Sequence, residues 1–182
     1  MDINEKALLH RAQAGDRGAA GTLFESYYQE IYTYIFYRVS DTFTAETLTA
    51  VVFIRMLGRL PTFFDQGKPI LSWLYTIARQ LVIDYYRTHE RSDQLSLKEH
   101  LLGSDQGQSE GPVQSRDSLD CFQGAMRHLN EQQKHVIILR LIEGRSIQDI
   151  AELINKSDHT VRSLQSRALH SLEKVVEMEE VI

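Results

Sequence analysis

The residues with the clearest chemical spacing lie in SIQDIAELINKSDHTVRSLQSRALHSL, Ser146 to Leu172. Ile147, Ile150 and Ala151 share one apolar face, and the small Ala151 lets a second helix cross closely. Asn155, four residues on, tolerates the left-handed backbone of a tight turn. Val161, Leu164, Ala168 and Leu172 then resume at intervals of three and four. This is the pattern of a helix-turn-helix. If those four residues are buried, Arg162, Ser163, Ser166, Arg167 and His170 occupy the opposite face. Such a face suits a major groove, where Arg bonds guanine and Ser bonds bases or phosphates. The same spacing also fits a plain helical hairpin with a solvated polar face.

A second stretch, GKPILSWLYTIARQLVIDYYRTHER, runs from Gly67 to Arg91. Leu74, Ile77, Ala78, Leu81 and Tyr85 make a core stripe. Trp73, Thr76, Gln80, Asp84 and Arg87 lie on another face, with Arg79, Tyr86 and Arg91 nearby. Rings interleaved with Arg and Gln suit single-stranded nucleic acid, whose bases stack on rings and whose phosphates attract Arg. The alternative is that Trp73 and the tyrosines are core.

Catalytic constellations are missing. The seven histidines show no paired metal-ligand spacing, and no Gly-rich phosphate loop, GxSxG or HExxH occurs. Asp84 and Arg87 read as a surface ion pair at i, i+3. Cys121, the lone cysteine, reads as a small core residue and excludes an internal disulfide. No catalytic residue, metal or cofactor is assigned, and the chain is not read as an enzyme.

The elements that must position these faces are helical. Apolar residues recur mostly at three and four, with few alternating runs. Helices are predicted at about 3–14, 17–38, 44–59, 69–90, 118–128, 131–143, 146–154 and 158–177. Asn130 and Asp158 are expected N-caps and Gly144 a C-cap, while Gly58 and Pro61 mark the end of the third helix. The run AVVFI, Ala50 to Ile54, has strand propensity, but Leu48, Val52 and Met56 keep it helical. Ser, Gln, Gly and Asp dominate from Ser92 to Asp117, a composition that buries little surface. The expected fold is therefore all-α: a helical domain at 1–91, a flexible linker at 92–117 and a second helical domain at 118–182. No apolar run is long enough to insert into a membrane and no secretory signal is visible, so a cytoplasmic location is expected. The net charge of −5 argues against a protein that coats nucleic acid unaided. Any DNA binding must use local patches or a partner.

The two stretches together resemble a bacterial sigma factor of the extracytoplasmic-function type, which keeps two helical domains, regions 2 and 4, around a flexible linker. Ser72 to Arg87 is similar to the family's promoter-melting and −10-reading segment. Leu129 to Leu169 is similar to its −35-reading domain. The resemblance implies that the chain binds core RNA polymerase, directs it to promoter DNA and helps melt the −10 region. It implies −35 contacts by Arg162, Ser163 and Arg167, with Ser166 on the same face. It implies −10 contacts by Phe64, Gln66 and Lys68 in the loop Phe63 to Pro69, alongside Trp73, Gln80 and Arg87. An anti-sigma factor as a further partner comes from the resemblance alone. In the third helix the chain has AETLTAVVF, Ala45 to Phe53, where the family usually has AEDLVQEVF. Glu46, Thr47, Ala50 and Val51 therefore stand on the implied polymerase-binding surface, with three of these four replaced by apolar or neutral residues. Either the polymerase contact is altered or another protein covers the patch. Two other readings stay open: a degenerate sigma-like adaptor, and a helix-turn-helix regulator that never joins polymerase.

Overall fold

The computed structural model describes residues 3–63, 67–99, 122 and 124–179. Among them every regular element is helical. α1 (Ile3–Gln13), α2 (Arg17–Val39), α3 (Thr42–Arg59) and α4 (Ile70–Glu99) make the first half. α5 (Glu131–Ile137), α6 (Ile147–Ile154) and α7 (Asp158–Glu179) make the second, after a helical stretch at 124–127. The predicted α4 end near residue 90 falls short, because no glycine or proline interrupts the chain from Ile70 to Leu102. The helix thus runs through the first residues of the expected linker. Residues 100–121, including the rest of that linker and Cys121, lie outside the described residues.

Short polar side chains start the helices. Asp16 accepts from the Ala19 amide at 3.1 Å and Asp41 from the Thr44 amide at 2.7 Å. Asn130 caps α5 in a reciprocal box with Gln133, and Ser146 caps α6 in one with Asp149. α7 departs from expectation. Asp158 is its first residue rather than its cap, and the Ser157 hydroxyl accepts from the Thr160 amide at 3.2 Å. Asp158 is then placed where its charge favours the helix's positive end. Gly58 sits inside α3, and the stop comes one residue later, with Pro61 in a 3-10 turn over Leu60–Thr62. Past α5 the backbone widens into a π turn over Ile138–Ile142, followed by Gly144 at φ 68°.

The two halves pack on each other. One buried cluster continues from Ile31, Tyr34 and Tyr75 in the first half to Ile137, Ile150 and Leu164 in the second. A smaller one joins α1 to α2 through Leu9, Leu23, Leu60 and Ile70. Polar ties cross the junction as well. Buried Arg38 donates to the Tyr34 hydroxyl at 2.9 Å and to Glu131 of α5. The Tyr75 hydroxyl donates to Glu143, and Arg145 donates to Glu30 at 2.6 Å. The Ser72 hydroxyl donates to the Leu153 carbonyl.

Candidate nucleic-acid interface

The helix-turn-helix forms as its spacing requires. Asn155 ends α6 in the left-handed region at φ 54°, and its amide bonds back to Glu152 at 3.3 Å. Ile147, Ile150, Ala151 and Leu153 are buried on α6 against Val161, Leu164 and Ala168 of α7. That packing turns Arg162, Ser166 and Arg167 to solvent and leaves Ser163 half-buried. Arg167 donates to the Ser163 hydroxyl at 2.9 Å and to its carbonyl at 3.3 Å. Arg162 has no side-chain partner among the described residues. One cation on this face is therefore tethered along the helix and the other is free to reach.

The second face begins where α1 holds the loop before α4. Gln13 donates to the carbonyls of Leu60 and Phe63, at 3.2 and 2.7 Å. Glu5 accepts from the Ile70 amide at 3.0 Å and from the Tyr27 hydroxyl at 2.8 Å. Two side chains of α1 thus fix both ends of the loop. Phe64 and Gln66, expected loop contacts, lie outside the described residues. Trp73 is half-buried and stacks on Phe63 with centroids 4.3 Å apart, so it packs against the core and still reaches the surface. Lys68 is half-buried beside it, and both line one cavity together with Arg59 and Arg79. Gln80 and Arg87 are exposed further along α4 and do not line that cavity. The predicted Asp84–Arg87 ion pair does not form; Asp84 instead accepts from Gln80 at 2.9 Å. Tyr86 donates its hydroxyl to the Arg38 carbonyl, a structural tie. Sequence reasoning missed Arg59 here; its only signal is a cation in the last turn of a helix that ends at the loop.

The third surface is on α3. Glu46, Thr47 and Ala50 are exposed and Val51 is half-buried. Thr47 spends its hydroxyl on the Phe43 carbonyl at 2.8 Å. The larger feature was not singled out from the sequence: Phe43, Ile54 and Leu57 are 77%, 66% and 49% exposed. With Thr47 and Ala50 they recur at three and four, so one face of α3 is apolar and uncovered. Buried Val52, Phe53 and Met56 occupy the opposite face.

Electrostatics concentrate at the junction between the halves. Burial opposes ionisation of Glu131, but Arg38 and Lys134 outweigh it and hold its carboxyl below the usual range. Burial raises Glu143 despite hydrogen bonds from Tyr75 and Arg145. Burial, with Arg38 and Arg79 nearby, pushes His135 down to about 3, so its imidazole is neutral. Among the described residues no cluster of three His, Cys, Asp or Glu could hold a metal, and no helix is long and apolar enough to cross a membrane.

The two halves of the chain match known families in the same order. Residues 23–92 match the family Sigma-70 region 2, and residues 119–172 match Sigma-70, region 4. The chain is 36% identical over 170 residues to the ECF RNA polymerase sigma factor BldN of Streptomyces coelicolor, covering 93% of this chain and 64% of that protein. It is 32% identical over 167 residues to the ECF RNA polymerase sigma factor SigX of Bacillus subtilis, covering 86% of this chain and 82% of SigX. CnrH, solved in complex with the cytosolic domain of CnrY, has the same fold: TM-score 0.69 at 18% identity, over 96% of this chain and 97% of CnrH. RpoE of Bartonella quintana, solved with the anti-sigma factor NepR, superposes with TM-score 0.57 at 20% identity, over 86% and 96%. With both sigma-70 regions in order and most of SigX matched, the chain belongs to the extracytoplasmic-function RNA polymerase sigma factors.

Proposed function

We infer that the chain binds core RNA polymerase and directs it to promoters, supplying recognition and strand capture rather than catalysis, in the cytoplasm. The observation that carries this reading is the outward set of Arg162, Ser166 and Arg167 on a helix whose other side is buried. α7 reads the −35 duplex in the major groove. Lys68, Trp73, Gln80 and Arg87, with Phe64 and Gln66 of the loop, hold the −10 strand. Taking a base out of the stack costs a few kcal/mol, and stacking on rings returns roughly 1–3 kcal/mol per base. A strand opened by thermal fluctuation is therefore held without ATP. The apolar face of α3 around Thr47 and Ala50, with Glu46 and Val51 at its margins, meets polymerase. RpoE was solved with an anti-sigma factor, and we extend that class of partner to this chain, where it competes for the same surfaces.

The test is reconstitution with core polymerase, followed by transcription from a library of randomised −35 and −10 elements. Association with core and output dependent on both elements is expected. With a net charge of −5, the free chain should bind duplex weakly at physiological salt. Tight promoter binding by the chain alone, with no polymerase association, would establish the plain regulator instead. The exposed Phe43, Ile54 and Leu57 favour a second reading, an adaptor that joins polymerase through another protein. Core binding seen only when a third protein is present would select it.

A further inference from the structure

A cavity of about 690 Å³ lies between the two halves. That volume is within the roughly 300–1,000 Å³ typical of small-molecule sites. Arg59, Lys68 and Arg79 line it from the first half and Lys156 from the second. Among the described residues no carboxylate lines it, and none of these four side chains is in an ion pair. Four like charges gathered around one space repel each other, and a bound anion removes that repulsion. Two further features point to a ligand with more than charge. Trp73, stacked on Phe63, contributes part of an indole to the wall. His135 also lines the cavity, and its buried Nε2 has no hydrogen-bond partner among the described residues. A neutral imidazole nitrogen offers one donor or acceptor to a polar group on a base or sugar.

We propose that this cavity binds a free phosphorylated nucleoside, its phosphates among Arg59, Lys68, Arg79 and Lys156 and its base against Trp73. Because Lys156 comes from the turn of the helix-turn-helix and the other cations from the first half, the ligand touches both at once. It therefore binds the docked arrangement better than a separated one and shifts the population toward it. Lys68 and Trp73 are also assigned to the −10 strand, so nucleotide and open promoter exclude each other. The site goes beyond the promoter reading, and its test needs neither polymerase nor promoter.

Trp73 is the one tryptophan in the chain, so indole fluorescence of the intact protein reports on the cavity directly. The full chain is titrated with ADP, adenosine and inorganic pyrophosphate. ADP should give a saturable change, adenosine should bind at least about tenfold more weakly, and pyrophosphate should compete with ADP. Lys156→Ala, at an exposed position, should weaken ADP several-fold, with Lys156→Arg restoring it and Arg17→Ala on the far end of α2 leaving it unchanged. Far-UV circular dichroism checks that each variant is folded. No saturable response up to ~1 mM ADP would overturn the proposal. Equal affinity for adenosine would remove the phosphate site. Unchanged affinity in Lys156→Ala would confine the ligand to the first half and end the two-sided reading.

Discussion

Arg145 Nη2 lies 2.6 Å from Glu30 Oε1, joining the segment before α6 to the middle of α2 across the whole linker. Arg145 also donates from Nε to Glu143 at 2.9 Å, and Glu143 in turn accepts from the Tyr75 hydroxyl. The Glu143 side chain is only 7% exposed, and these two donors favour its ionised form against the burial that raises its pKa. The π turn over Ile138–Ile142 is what brings Glu143 and Arg145 to the junction, since its extra residue rotates the chain that follows.

Arg145→Ala removes both contacts and leaves Glu143 buried with Tyr75 alone. The expected loss is about 1–3 kcal/mol, because a buried acceptor is left undersatisfied. Urea unfolding measures it. Glu30→Ala should cost less, as Glu30 is partly exposed, and the double variant should show non-additivity of about 0.5–2 kcal/mol. Additive losses would mean that the two halves are not held by this pair.

The docked arrangement should weaken in mild acid. His135 is packed between the rings of Tyr34 and Tyr75, with Arg38, Arg79 and Glu131 acting on it. Its folded pKa, about 3, is below the ordinary 6.5, so the unfolded chain takes up that proton first as pH falls. The stability tied to neutral His135 is complete above pH 6.5 and is lost progressively down to about 3. From about pH 7 to about 5.5 the loss should be about 1 kcal/mol. Comparing wild type with His135→Gln across that window subtracts Glu131 and Glu143. Parallel pH profiles for the two proteins would remove His135 as the cause.

The helix-turn-helix was legible because Asn155 turns α6 and the spacing of Val161, Leu164 and Ala168 places α7, whereas the Ser146 cap was not singled out. Burial on one side of a helix dictates what points away on the other. The −10 face was legible in part. Trp73 reads from the sequence as core or as a base-stacking surface, and it is both packed and accessible, because Phe63 covers it from a loop whose position depends on Gln13 and Glu5 of α1. Such long-range hydrogen bonds leave no periodic trace. The docking of the halves was invisible for the same reason: Arg38 and Glu131 are 93 positions apart, and each alone reads as a solvated charge. The apolar face of α3 was half visible, since departures at Thr47, Ala50 and Val51 were noted while Phe43, Ile54 and Leu57 were not singled out.

Substitutions on α3 should separate folding from partner binding. Ala50 and Ile54 are exposed, so Ala50→Glu and Ile54→Ser should each change stability by no more than about 0.5 kcal/mol. Both should weaken association with core polymerase by about tenfold, since one places a charge in an apolar contact and the other removes buried area. Pull-down with core polymerase at matched concentration reads the effect. Folded variants with unchanged affinity would take this surface out of the polymerase contact.

Arg162 and Arg167 should differ in what they contribute at the −35 element. Arg167 is tethered to Ser163 by its Nη2 and Nε, which holds its guanidinium along the helix surface. Arg162 has no such tie and can extend its fork of donors to a guanine edge. Arg162→Ala should therefore relax preference at one base pair by roughly 1–3 kcal/mol while other positions keep theirs. Arg167→Ala should lower output on all sequences alike and reduce the salt slope by about 1, the signature of a lost phosphate contact. Ser163→Ala should shift Arg167 toward the free behaviour without removing its charge. The measurement is polymerase-dependent transcription across a randomised −35 element at two salt concentrations. Uniform loss in both Arg variants would make both of them backbone anchors. Unchanged output in both would take α7 off the promoter and leave a solvated helix face.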